Sequence, residues 1–149
     1  MIKVKDVMSK DLVTIEADKS VLDAARLMAK KGVGCLIIVS GGKAIGIITE
    51  RDLVSRVLAE PFDPAKVLVS DVMSTPIFTI SSDQTLNEAA EIMLKYKVRR
   101  LPVVDGGVLV GIVTATDLAN ALVNKTLDEG LILKAIARYS KAPEFGPYK

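Results

Sequence analysis

The chain is expected to be an α/β protein built from two β-α-β-β-α repeats packed about a pseudo-two-fold axis as one unit. Asp6–Val54 aligns with Asp71–Ala119 without a gap at an offset of 65 residues, and 21 of the 49 paired positions are identical. Each copy carries an amphipathic helical stretch followed by two apolar runs around a Gly-Gly pair, Gly41-Gly42 and Gly106-Gly107. Each then closes on Gly-Ile-x-Thr-x-x-Asp-Leu, at Gly46–Leu53 and Gly111–Leu118. Self-similarity of this kind marks a duplicated supersecondary unit. Two copies are too few for a solenoid, and a duplicated unit predicts paired, quasi-equivalent clefts.

In the first repeat, Leu12–Ile15 reads as a short strand. Ser20 N-caps a helix with Asp23 three residues on, and Val21, Ala24, Leu27 and Met28 share one face. Gly32 stops that helix. Cys35–Val39 is a continuous apolar run and reads as a buried strand; the Gly-Gly turn returns it as Ala44–Ile48. Thr49 opens a second helix reaching about Ala59. The second repeat spells the same order: strand Ile77–Ile80, a helix capped by Thr85 and Glu88, strands Leu101–Val104 and Val108–Val113, and a helix from Thr114. A crossover helix makes the first two strands of each copy parallel, and the hairpin makes the last two antiparallel.

These spans divide the chain into repeat one at 1–60, a linker at 61–68, repeat two at 69–123, and a C-terminal helix and tail at 124–149. Glu60–Pro64 supplies the stiff, turn-rich start of the linker. Residues 127–140 read as one more helix, with Leu131, Ile132, Ala135, Ile136 and Tyr139 on its apolar face, and Pro143–Lys149 as a fraying end. A lone repeat of this size has a marginal core, so the two copies are expected to share one. Half of the residues are hydrophobic but only 4% are aromatic, which predicts an aliphatic core.

Composition disfavours several functions. Residues 1–119 carry 15 basic and 15 acidic side chains, a poor electrostatic footprint for nucleic acid. Phe78 and Tyr96 are too few to form a base-stacking surface. The chain has no histidine, which excludes His-dependent triads and His metal sites, and no Gly-x-x-x-x-Gly-Lys loop. Its single cysteine, Cys35, lies in an apolar strand and reads as an inert thiol in a reducing compartment. No charge-free run reaches the 18 or so residues of a membrane helix, and the N-terminus lacks the apolar run of a signal peptide. The expectation is a cytoplasmic protein with no membrane partner, no metal and no catalytic residues.

The repeated Thr-x-x-Asp, Thr49/Asp52 and Thr114/Asp117, opens two readings. One is a capping box, worth about 0.5–2 kcal/mol for the cap. The other is a nucleotide site. A helix N-terminus offers N–H groups and a positive dipole end to phosphate, while the aspartate accepts from the two hydroxyls of a ribose. Met8, Met28, Met73 and Met93 recur at equivalent places and read as core.

The pattern Asp-Val-Met-Ser, Thr-Ile, Ala-Ala-x-x-Met, Leu-x-Val-Val and Gly-Ile-x-Thr-x-x-Asp-Leu resembles cystathionine β-synthase (CBS) domains, a tandem pair of which forms a Bateman module. The resemblance covers residues 4–119, and every segment occurs in both copies in the same order. It implies two clefts for adenosine ligands: AMP, ADP, ATP or S-adenosylmethionine. In one, Thr114, Thr116 and Asp117 would take ribose and phosphate, with Ile112, Val13, Val33 and Gly34 walling the adenine. In the other, Thr49, Arg51 and Asp52 would do so, walled by Ile47, Phe78 and Val98.

The copies differ at Gly34-Cys35 against Arg99-Arg100, and at Asp11 against Pro76. The resemblance assigns the arginines to phosphates, which suit a planar guanidinium. Lys95, Lys97, Arg99 and Arg100 equally read as a solvated cluster favouring a helix C-terminus. Asp11 at a cleft mouth would repel a polyphosphate, or bind a base edge or a cation. The expected function is a non-catalytic sensor with unequal clefts that needs no cofactor beyond its regulatory ligand. It would dimerise through apolar helix faces around Val54–Leu58 and Leu118–Val123 and signal to a further protein. The rival readings are an interaction module without ligand and a nucleic-acid-binding accessory protein.

Overall fold

The computed structural model describes residues 1–123 and 129–140. The first repeat contributes helix α1 (Val4–Val7), strand β1 (Thr14–Glu16), α2 (Val21–Lys31), β2 (Cys35–Ser40), β3 (Lys43–Thr49) and α3 (Glu50–Leu53), which runs into a π-helical turn at Val54–Leu58. The second contributes α4 (Val69–Val72), α5 (Leu86–Tyr96), β4 (Arg100–Asp105), β5 (Val108–Thr114) and α6 (Ala115–Val123), and α7 (Glu129–Ser140) follows. The chain is thus mixed α/β with two repeats. The expected fraying end, Pro143–Lys149, and residues 127 and 128 of the expected last helix lie outside the described residues.

Local chemistry explains most of these elements. The Asp23 N–H donates to the Ser20 hydroxyl at 3.1 Å, and the Glu88 N–H donates to Thr85 Oγ1 at the same distance, so α2 and α5 begin on side-chain caps. Gly32 ends α2 in the left-handed region at φ 66°; Lys97 takes the same conformation, φ 58°, at the end of α5. Both hairpins place two glycines at positive φ, 57° and 78° for Gly41-Gly42, and 56° and 81° for Gly106-Gly107. Such turns match the twist of the strands that they join.

The first three strands form one sheet, β1 parallel to β2 and β2 antiparallel to β3. The strand expected at Ile77–Ile80 is reduced to a single parallel bridge, Ile80 with Val103, beside a two-stranded β4–β5 sheet. One residue accounts for the difference. In the first repeat the Ile37 N–H donates to the Val13 carbonyl at 3.1 Å. Its equivalent in the second repeat is Pro102, which has no N–H to give.

The repeats in sequence are not the compact units in space. One unit is central, Leu12–Ile77; the other is terminal, formed by Met1–Asp11 with the chain from Phe78 onward. Each unit therefore includes the Asp-Val-Met-Ser segment of the other copy, a segment whose short helices α1 and α4 the residue pattern did not announce. In the terminal unit Ser9 and Ile112 exchange two backbone hydrogen bonds of 2.9 Å, and the Val4 N–H donates to the Gln84 carbonyl at 2.8 Å. In the central unit Ser74 and Ile47 exchange bonds of 2.8 and 3.2 Å, and the Val69 N–H donates to the Lys19 carbonyl at 2.9 Å. The repeated glycine makes room for this docking. A Cβ on Gly111 would stand 2.7 Å from Met8 Sδ and 2.9 Å from the Ser9 carbonyl oxygen, and Met73 and Ser74 close on Gly46 in the same way.

Buried apolar side chains form two clusters, one within each unit, rather than the shared pool that the repeat size suggested. Segment docking enlarges each unit beyond a single repeat, with Val4 completing one cluster and Val69 the other. Helix α7 packs on α5 and α6 and adds Ile132 and Ala135, both fully buried, to the terminal cluster. Leu131 and Ile136 are half-buried. Of the expected face Leu118–Val123, Leu118 and Ala121 are covered inside their own unit, while Val123 is 79% exposed. The other face, with Val54 and Leu58, stays exposed. No described helix is long and apolar enough to cross a membrane.

The Ser81–Asp83 turn is held within the terminal unit from two sides. Asp105 accepts from the hydroxyl and backbone N–H of Ser82, and Lys5 Nζ lies 2.9 Å from Asp83. The Ser82 bonds hold the Asp105 carboxyl below its ordinary value, and the bond and charge of Lys5 do the same for Asp83. A carboxyl depressed in the folded state adds stability that is complete above its unfolded value, about 4, and is lost as pH falls through the folded value. Thermal melts should therefore fall with pH below about 4, and less steeply in Asp105→Asn; an unchanged profile in that variant would show that this staple contributes nothing. In urea, Ile132→Ala should cost about 2–5 kcal/mol, whereas Leu133→Ala, at a position 52% exposed, should leave the midpoint nearly unmoved.

Candidate functional site

Each β-hairpin delivers its last residue, a threonine, to the start of a helix. Thr114 ends β5 opposite Arg100, and Thr49 ends β3 opposite Cys35. The preceding loop closes the same corner: the Ala115 N–H donates to the Arg99 carbonyl at 2.9 Å, and the Glu50 N–H donates to the Gly34 carbonyl at 3.0 Å. The Gly34-Cys35 and Arg99-Arg100 pairs thus stand at the two helix starts, which is why their difference matters. Arg99 and Arg100 are half-buried rather than fully solvated.

Both Thr-x-x-Asp motifs form capping boxes. In the terminal unit Asp117 Oδ2 accepts from the Thr114 N–H at 2.8 Å and from Thr114 Oγ1 at 3.1 Å, while the Asp117 N–H returns to Thr114 Oγ1 at 3.2 Å. The central unit repeats this with Thr49 and Asp52 at 2.9, 3.1 and 3.2 Å. The expected supply of free helix N–H groups for a phosphate is accordingly reduced, since Ala115 and Asp117 have already spent theirs.

The two carboxylates differ in what remains. Asp52 is 6% exposed, and its oxygens are also approached by the Ser74 hydroxyl at 3.4 and 3.5 Å and by Arg56 Nε at 3.7 Å. Asp117 is half-buried, and among the described residues no group donates to its Oδ1. Ser74 and Arg56 were not singled out from the sequence. Both left a signal there: Ser74 belongs to the repeated Asp-Val-Met-Ser, and Arg56 faces Ala121 at the 65-residue offset.

The remaining candidates divide by unit. Asp11, Phe78, Val98, Arg99, Arg100, Ile112, Thr116 and Asp117 belong to the terminal unit; Val13, Val33, Gly34, Ile47, Arg51 and Asp52 belong to the central one. The Asp11 N–H donates to Ser9 Oγ at 3.2 Å, which keeps this acid next to the docked Ser9–Ile112 bridge. Phe78 stacks on Tyr96 with ring centroids 4.0 Å apart and 12° between planes, so one face of its ring is already covered. A Cβ at Gly34 would meet Glu50 Oε1 at 3.0 Å. Thr116 and Arg51 are exposed.

Duplicated hairpins, each with a capped acid at its helix start and a docked Met-Ser segment at its edge, define a tandem pair of small α/β domains. The chain matches the CBS domain family over residues 4–59 and again over residues 69–124, and it belongs to that family. It is 39% identical over 119 residues to an uncharacterized protein of Methanopyrus kandleri, a match covering 78% of this chain and 61% of that protein, so it spans about three fifths of that relative's length. It is 36% identical over 132 residues to the CBS domain-containing protein YhcV of Bacillus subtilis, covering 88% of this chain and 94% of that one. Among solved structures, the CBS domain pair of protein MJ0100, in complex with 5′-methylthioadenosine and S-adenosyl-L-methionine, superposes with a TM-score of 0.75. It is 32% identical, and the match covers 85% of this chain and 99% of that one.

Proposed function

We propose that the chain is a non-catalytic regulatory module that binds an adenosine ligand, with Asp117 as the anchor for the ribose. The observation that carries this reading is the half-used Asp117 carboxylate: Oδ2 is spent on Thr114, and Oδ1 faces no described donor. A ribose presents two adjacent hydroxyls, and a carboxylate is an acceptor with lone pairs to spare. Arg100, opposite Thr114 in the hairpin register, is the natural partner for a phosphate or a ligand carboxylate. Thr116 adds an exposed hydroxyl on the same turn. Ile112, two residues before Thr114 on β5, completes the proposal as a wall for the adenine. A CBS domain pair 32% identical to this chain has been crystallised with two adenosine compounds, which supports the ligand class.

Bound ligand shifts the arrangement of the repeats only by its differential affinity for the alternatives, and a partner protein reads that shift. Self-association through the exposed Val54 and Leu58 belongs to the same reading. The ligand test is isothermal titration with AMP, ADP, ATP and S-adenosylmethionine. Wild type should bind at least one of them, and Asp117→Ala should weaken that binding roughly 10–100-fold, the worth of a hydrogen bond to a charged group. Full affinity in the variant would remove Asp117 as the anchor. For self-association, light scattering should give a dimer for wild type and a monomer for Leu58→Asp; a wild-type monomer would refute the dimer.

A further inference from the structure

The duplicated acid has come to serve two different ends. If the 65-residue offset is continued, Ser74 corresponds to Ser9 and Arg56 to Ala121. In the central unit, Arg56 Nη1 donates to the carbonyls of Val72 at 2.9 Å and Met73 at 3.1 Å, at the end of α4, where helical carbonyls have no partner of their own. With its fork so fixed, Arg56 places Nε 3.7 Å from Asp52 Oδ1, while Ser74, two residues after Val72, brings its hydroxyl over the same carboxylate. A half-exposed ion pair alone is weak. Here a buried acid is bracketed by three residues from two segments, and both of its oxygens are approached.

Among the described residues, none of this is repeated in the terminal unit. Ser9 Oγ accepts from the Asp11 N–H instead, and Ala121, 5% exposed, packs in the cluster that α7 completes with Ile132 and Ala135. A guanidinium has no place there. A ligand approaching Asp52 would have to displace Ser74 and Arg56; at Asp117 there is nothing among the described residues to displace.

We infer that Asp52 is a structural clamp that fastens the Val69–Ile77 segment onto the central unit, that Arg56 and Ser74 close its carboxylate to ligand, and that the chain therefore takes one adenosine ligand rather than two. The count of ligands rests on the reading of Asp117 given above; the clamp does not.

Melting without ligand tests the clamp by itself. Both aspartates cap a helix, but only Asp52 also ties two segments, so Asp52→Ala should melt about 3 °C or more below Asp117→Ala. Should either variant fail to fold, Ser74→Ala against Ser9→Ala makes the same comparison, with the larger loss expected for Ser74→Ala. Equal losses within the pair compared would overturn the clamp. Titration with AMP, ATP and S-adenosylmethionine tests the count. One ligand per wild-type chain, retained within about threefold in Asp52→Ala or, if that variant does not fold, in Ser74→Ala, supports the inference. Two equivalent ligands per chain, or loss of binding in the variant used, would overturn it. If none of the three ligands binds wild type, the adenosine reading and the ligand count fall together, and the melting comparison still decides the clamp.

Discussion

The docking of a Met-Ser segment onto the edge of a hairpin distant in the chain, Ser74 on Ile47 and Ser9 on Ile112, is the contact on which the rest depends. Neither β3 nor β5 is left with a bare outer edge at its midpoint: Ser74 bonds Ile47, and Ser9 bonds Ile112. An unsatisfied strand edge is a liability, and a buried backbone group without a partner is costly. The glycine that precedes each isoleucine lets the segment approach, because a side chain at that place would run into the methionine sulfur and the serine carbonyl. Since each unit takes this segment from the other copy, neither repeat is complete alone. Valines from the same segments, Val4 and Val69, then fill the two cores.

On this symmetric frame, a few substitutions redirect the chemistry. Pro102 in place of Ile37 removes a ladder bond and shrinks a strand to a bridge. Helix α7 exists only after the second repeat, and the residues it covers at Leu118 and Ala121 are buried, while Leu53 in the first repeat is only half-buried. Where α7 packs, a small residue is needed at 121; where no such helix lies, Arg56 has room to reach back to α4 and to Asp52. The difference between the two acids thus follows from what lies over each helix, not from the acids themselves.

Much of the candidate site was legible before the fold was known. Thr49/Asp52 and Thr114/Asp117 were recognisable because a capping box needs only residues three apart, and both formed as expected. The contrast between Gly34-Cys35 and Arg99-Arg100 was visible for a similar reason, since the repeat itself provides the comparison. Ser74 beside Asp52 was not legible, because 22 residues separate them and nothing in their spacing requires contact. The family resemblance marks Phe78 as a wall residue, yet its stacking on Tyr96 depends on where the end of α5 returns.

What the sequence by itself determined is the local grammar: two hairpins turned by glycine pairs at positive φ, four helices begun by hydroxyl caps, and an acid at each hairpin-to-helix corner. These features arise from bonds and torsions within a few residues, so composition and spacing encode them directly. Tertiary structure decided which copy owns each Asp-Val-Met-Ser segment, which apolar helix face is covered, and which of two identical aspartates keeps an oxygen in reserve. Those outcomes turn on edge pairing and burial between segments far apart in the chain, where several partners suit the same pattern and only the closed fold selects among them.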